Sequence, residues 1–158
     1  MLDDSGHIAQ APRQRWRIGN LAKAAIEDVV ALIAASDCVV SLHRSEGFGL
    51  VLAEAMLLGK PVIATAYSGN LDFTTPGNSF LVSYKLQNVG PGNPPYPEHC
   101  LWADPCLQDA AHQMRTVYEN ERLREQRAQA GRELIESRFS PAAVGAAMKE
   151  RLLLCQLR

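Results

Sequence analysis

Residues 37–65 read DCVVSLHRSEGFGLVLAEAMLLGKPVIAT, and this run leaves a chain little choice of fold. DCVVSLH and PVIAT are short, apolar and β-branched, which suits strands buried on both faces. Between them a glycine-bearing turn, SEGFG, leads into an apolar helix over 50–58. Gly59 is placed to close that helix in the left-handed conformation, and Pro61 bars its continuation. Strand, turn, helix and strand make a βαβ unit, so the strands should be parallel with a right-handed crossover. SFLVSY, at 79–84 after the turn-rich TTPGN, supplies a third strand. The class is α/β: a parallel sheet of about three strands flanked by helices, with a helical C-terminal tail.

The rest of the chain is arranged around that unit. Residues 1–18 form a loose lead-in, 19–139 the body and 140–158 a C-terminal helix. Over 21–35, Ile26, Val29, Val30 and Ile33 recur at i, i+3, i+4 and i+7, one face of an amphipathic helix. Residues 85–103 hold Gly90, Pro91, Gly92, Pro94, Pro95 and Pro97 and read as a loop, with Trp102 anchoring it to the body or, alternatively, stacking on a ligand. Asp104-Pro105 reads as an N-cap followed by proline at the first helical position. The helix after it presents Leu107, Ala110, Ala111, Met114, Val117 and Tyr118. The stretch 121–136 is charged and mostly solvent-facing. Ser140-Pro141 repeats the capping device and opens a helix with Val144, Met148, Leu152 and Cys155 on one side.

Composition narrows the function classes. The 158 residues are 47% hydrophobic with a formal net charge of −1, as in an ordinary globular protein. Nucleic-acid binding draws on clustered Lys and Arg, and the short run Arg13, Arg15, Arg17 reads as a solvated face, so no nucleic-acid partner is expected. Cys38, Cys100, Cys106 and Cys155 are scattered, without Cys-x-x-Cys or paired histidines at zinc spacing, and read as reduced thiols. The N-terminus MLDDSGHIAQ has no apolar signal core, and no apolar run approaches the ~20 residues of a membrane span. The expected location is cytoplasmic.

One residue breaks the apolar pattern of the helix: Glu54. Withdrawing an unpaired carboxylate from water costs about several kcal/mol, so its presence calls for a partner. Ligands of open α/β sheets bind at the carboxyl ends of the strands, where HRSEGFG enters a helix N-terminus. Free backbone N–H groups and the positive end of the helix dipole favour an anion there. Gly47 and Gly49 let a ligand approach the backbone, while Glu46 in the turn and Glu54 one helical turn further in face the same cleft. A carboxylate repels phosphate but accepts from hydroxyl pairs on a ribose or hexose. Amides for phosphate beside carboxylates for sugar hydroxyls is the chemistry of a nucleotide-sugar site. Spacing alone leaves open that Glu46 is an ordinary turn residue, and that Glu54 pairs with a structural arginine or looks out of the helix. GFG also lacks the third glycine of a dinucleotide fingerprint. His43 ends the first strand at the cleft, as a ligand or as a structural histidine. Arg44 is a candidate to neutralise phosphate, and the Ser68-Gly69-Asn70 turn lies on the same sheet edge.

SEGFGLVLAEAMLLGKPVIAT closely resembles the E-x7-E region of retaining glycosyltransferases of the GT-B architecture, family 4 (group 1) in particular. AYSGNLDF and PGNSFLV extend the match, which covers roughly 28–139. The resemblance implies a partial Rossmann-like donor-binding domain. In it Glu46 is the catalytic residue, contacting the donor sugar near the reacting centre. The amides of Gly47, Phe48, Gly49 and Leu50 hold sugar hydroxyls and diphosphate, and Glu54 accepts from the ribose hydroxyls. It further implies transfer from a UDP- or GDP-sugar with retention, without metal or cofactor, to an unidentified acceptor bound by an N-terminal domain. Two parts of the family pattern have no counterpart here: that acceptor domain, and an Arg/Lys clamp on the donor phosphates. The expectation is therefore a donor-binding domain inactive alone, or alternatively a catalytically silent fragment acting as a binding or assembly module. Self-association is expected through the open sheet edge or the C-terminal helix.

Overall fold

The computed structural model describes residues 26–156. The lead-in, its three arginines and the start of the expected first helix lie outside them. The elements run α1 (Ile26–Ala35), β1 (Val39–Ser41), α2 (Leu50–Leu57), β2 (Val62–Thr65), β3 (Phe80–Val82), β4 (Tyr84–Asn88), β5 (Leu101–Pro105), α3 (Leu107–Glu119), α4 (Glu121–Arg138) and α5 (Pro141–Gln156), with a short 3-10 turn at Gly69–Asp72. β1, β2 and β3 form one parallel sheet in that order, Val39 opposite Val62 and Ile63 opposite Phe80. This is the Rossmann-like α/β arrangement expected.

Strand alternation explains why β2 is buried throughout. Val62 and Ala64 face a cluster built from α1, α2 and α4, with Ile33, Leu52, Met56 and Ile135. Ile63 faces the other way, onto Phe80, Val82, Ala110 and Val117 beneath α3. Both faces of the central strand are thus covered by helices. β1 is a sheet edge among the described residues: Val40 is 41% exposed, and on α1 above it Val30 is exposed while Ile33 is buried. The apolar stripe of α1 is therefore used only in part.

α2 ends as its sequence demands. Gly59 has φ 67°, its amide reaches the Met56 carbonyl and the Lys60 amide reaches Ala55, the paired bonds of a Schellman cap. α4 is less solvated than its charge suggests. Ala128, Gly131 and Ile135 are buried, and a Cβ on Gly131 would lie 3.2 Å from both the Asn78 carbonyl oxygen and Met56 Cγ. Arg127 lies over the Phe80 ring at 4.4 Å and donates to the Ser79 carbonyl.

Two expectations are corrected. Residues 85–103 are not all loop: β4 and β5 pair antiparallel as a separate two-stranded hairpin, and only the glycine- and proline-rich middle is irregular. Asp104-Pro105 does not cap α3. Both belong to β5, Pro105 opposite Tyr84 at the end of the ladder, where no strand follows to need its missing N–H. Cys106 takes the N-cap position, and α3 buries mainly Ala110 and Val117 while Leu107, Met114 and Tyr118 stay exposed. Ser140-Pro141 does open α5, the Ala143 amide lying 3.3 Å from Ser140 Oγ.

Candidate functional site

Because β1 and β2 run parallel, the turns leaving their carboxyl ends meet at one edge of the sheet. The turn after β2 grips the turn after β1. Ser68 Oγ donates to the Glu46 carbonyl at 2.6 Å and accepts from the Glu46 amide at 3.2 Å, and the Gly69 amide donates to the same carbonyl at 3.1 Å. Gly69 packs directly on the Gly47 carbonyl, with no room for a Cβ. Ser68 has φ 79° and ψ −157°, a region nearly reserved for glycine, which costs about 1–3 kcal/mol.

Beneath the junction Asn70 is fully buried. Its amide nitrogen donates to the Thr65 carbonyl and Thr74 Oγ1, and its oxygen faces His43 Nε2 at 3.1 Å. His43 Nε2 also faces the Tyr67 carbonyl at 3.0 Å, while Nδ1 lies 3.1 Å from Ser41 Oγ. Both acceptors at Nε2 are oxygens, so Nε2 carries a proton. The imidazole is engaged at both nitrogens within the protein.

The groups of the turn left without protein partners are backbone ones. Among the described residues, the amides of Gly47, Phe48, Gly49, Leu50 and Val51 make no protein hydrogen bond, while the Gly49 carbonyl accepts from Leu52 and Ala53. Gly49 needs to be glycine, with φ 92° and Leu52 Cδ1 3.3 Å from where a Cβ would stand. Gly47 does not: its φ is ordinary and nothing lies within 4 Å of an added Cβ. The fold gives no reason for that glycine, whereas close approach of a ligand does. The Phe48 ring turns inward, 4.9 Å from Phe73 and 5.5 Å from Phe139, and anchors the turn.

Glu46 and Glu54 are both half-buried, and neither carboxylate has a hydrogen bond or ion pair among the described residues. This corrects the starting premise about Glu54. α2 is not buried all round, since Leu50, Val51 and Leu57 are exposed, so the carboxylate retains water and needs no buried partner. Pairing with a structural arginine is not what the fold does with it.

Arg44 is engaged with the β4–β5 hairpin. Its guanidinium pairs with Asp104 Oδ1 at 3.2 Å and lies over the Trp102 ring at 4.7 Å, and its carbonyl accepts from the Ala103 amide at 2.9 Å. Trp102 is thereby the expected anchor, with its indole N–H buried and unpartnered among the described residues. Both ion-pair partners are roughly half-exposed, so the bridge contributes only about 0–1 kcal/mol. The contacts of Trp102, Ala103 and Asp104 with the site turn could not be read in sequence, because the hairpin that places them there read as loop.

Other groups lie elsewhere. Cys38 is half-buried, and its thiol is pushed up to about 12, mainly by desolvation with Asp37 adding to it, which leaves it inert as a nucleophile. The described residues include no group of three or more His, Cys, Asp or Glu suited to a metal ion. An open groove of about 490 Å³ lies at the far end of α2, lined by Lys60, Arg124 and Arg132 among others. There Arg124 and Arg132 already pair with Glu121 and Glu136, and Asp37 and Glu125 offset the charge, so the groove has no converging set of one sign. No described helix is long and apolar enough to cross a membrane.

Residues 21–88 match the family model described as glycosyl transferases group 1. No curated protein sequence matches. Among solved structures the chain is similar to HepE of Anabaena in complex with UDP-glucose, at 28% identity and a TM-score of 0.60, over 79% of this chain and 29% of that one. The same protein was also solved with UDP and glucose. The chain is similar too to the C-terminal domain of LpcC, a glycosyl transferase group 1 family protein of Francisella tularensis, at 25% identity and a TM-score of 0.56, over 78% and 53%. A sucrose-phosphate synthase of Thermosynechococcus elongatus shares the fold, at 22% identity and a TM-score of 0.59, over 82% of this chain and 28% of its own. The chain spans less than a third of the length of HepE.

Proposed function

We propose that this chain is the donor-binding domain of a retaining glycosyltransferase of family 4, and that its donor is a UDP-sugar. The observation that carries the reading is the turn at Gly47–Leu50: consecutive amides unpartnered among the described residues at a helix N-terminus, flanked by two unpaired carboxylates, Glu46 and Glu54. The group 1 match over the same residues and the UDP-glucose complex of the Anabaena protein support it.

In this reading the amides of Gly47, Phe48, Gly49 and Leu50 face the diphosphate and the sugar hydroxyls. As the bond from the anomeric carbon to the diphosphate breaks, negative charge gathers on the departing oxygen, and fixed N–H dipoles stabilise it without reorganising. Glu46 contacts the sugar next to the reacting carbon. Glu54 accepts from the ribose hydroxyls. The acceptor, whose hydroxyl forms the new bond to that carbon, is bound by a second domain outside these residues, so these residues alone bind donor without transferring it. No metal is required for these roles, and the location is the cytoplasm. A second reading, a silent binding or assembly module, draws on the exposed apolar surface of α5.

Calorimetric titration of the chain with UDP, GDP, ADP and their sugar conjugates tests the proposal, with Glu54→Ala as control. UDP and its conjugates are expected to bind saturably. Binding should weaken about tenfold in the variant, the loss of one to two hydrogen bonds to a charged acceptor. The variant should keep its melting temperature or gain slightly, because Glu54 has no partner to lose. Absence of binding by any nucleotide would sink the donor-site reading in favour of the silent module. Unfolding of Glu54→Ala would make Glu54 structural.

A further inference from the structure

We propose that Ser68 is a positioning residue for the donor turn, setting the orientation of the Glu46 peptide through a single hydroxyl. The inference rests on the donor-site reading and adds to it a residue outside the E-x7-E stretch. Ser68 Oγ engages both polar groups of Glu46, donating to the carbonyl at 2.6 Å and accepting from the amide at 3.2 Å. One hydroxyl on both groups fixes the rotation of the backbone at Glu46, and with it the direction of the carboxylate and the start of the free-amide run. The Gly69 amide adds a second bond to the Glu46 carbonyl, and the Gly69 Cα rests on the Gly47 carbonyl, so the turn is held from one side along two consecutive peptides.

The backbone of Ser68 identifies the hydroxyl as the purpose of the residue. At φ 79° and ψ −157° glycine is the unstrained choice. A serine stands there instead, and among the described residues its hydroxyl bonds to Glu46, with a 3.5 Å approach to Ser45 Oγ besides. Strain held by surrounding contacts is a mark of pre-organised sites. The platform under it is rigid: Asn70, two residues on, is fully buried and ties β2, Thr74 and His43 together.

Ser68→Gly removes the hydroxyl and relieves the strain together, so stability and positioning move in opposite directions. The variant is expected to melt no lower than the wild type. The Glu46 amide, losing its acceptor, should exchange with solvent about tenfold faster by NMR, and UDP-glucose affinity should fall about three- to tenfold. Ser68→Ala, which keeps the strain, should show the same exchange and affinity changes with a lower melting temperature. Unchanged Glu46 exchange in Ser68→Gly overturns the clamp. Faster exchange with unchanged affinity overturns the positioning role and leaves Ser68 structural. Should the wild-type chain bind no nucleotide, the donor reading fails for this chain, and Glu46 exchange alone then decides whether the clamp exists.

Discussion

Three glycines at the junction of the two turns are there for three different reasons. Gly49 supplies a left-handed backbone at the start of α2, Gly69 supplies absence of a Cβ against the Gly47 carbonyl, and Gly47 supplies open space toward solvent. A Gly69→Ala variant should therefore lose stability by about 1–3 kcal/mol through forced separation of the turns, read as a lower urea midpoint. A Gly69→Ala chain as stable as wild type would mean that the two turns part easily. At this scale the sequence made much legible: Gly47, Gly49, Glu46 and Glu54 all stood out from their neighbours. It could not say that the Phe48 side chain is an anchor while its amide faces out, or that Asn70 is the buried hub. Those assignments depend on what Phe73, Phe139 and His43, distant in sequence, place beside them.

At the scale of elements, the β4–β5 hairpin is the largest departure from expectation. In YKLQN only Tyr84 and Leu86 alternate with polar neighbours before Asn88 breaks the pattern, and a proline- and glycine-rich segment separates it from its partner, so little that is local announces pairing. What fixes the hairpin is polar and long-range: Ala103 to Arg44, Cys106 to Ser83, and the Ser83 amide to Asp109 Oδ2 at 2.7 Å. The Ser83 hydrogen bonds hold the Asp109 carboxyl below its ordinary value. A depressed carboxylate contributes stability above its unfolded value of about 3.9, and loses it as pH falls through its lower folded value. Asp109→Asn should therefore destabilise the chain modestly at pH 7, by less than about 1 kcal/mol given its exposure. The difference from wild type should close as pH falls through that lowered folded value, followed by denaturant melts across the acid range. A pH-independent difference would mean that the ionised form is not what binds Ser83.

At the scale of the whole molecule, α5 stands out. Val144, Met148, Leu152, Leu153 and Leu154 are all 41% exposed or more, and its side chains contribute nothing to either core cluster. A helix with that much open apolar surface stabilises the body little and favours association. Removing residues 141–158 should leave the melting temperature of the body almost unchanged while lowering its sedimentation-derived mass toward monomer. A full chain already monomeric at high concentration would rule out self-association through α5.

What the sequence by itself determined is local. The strand, turn, helix and strand of 37–65, the capping glycine of α2, the Ser140-Pro141 opening of α5 and the paired glutamates follow from short-range patterns, since each depends on residues within a few positions. Only the tertiary structure decided how exposed Glu54 is, where Arg44 points, that Ser68 clamps Glu46 from more than twenty residues away, and that a polar segment forms a hairpin against the site. Those outcomes are set by contacts between turns that parallel strands bring to one sheet edge, and no window of sequence contains both sides of such a contact.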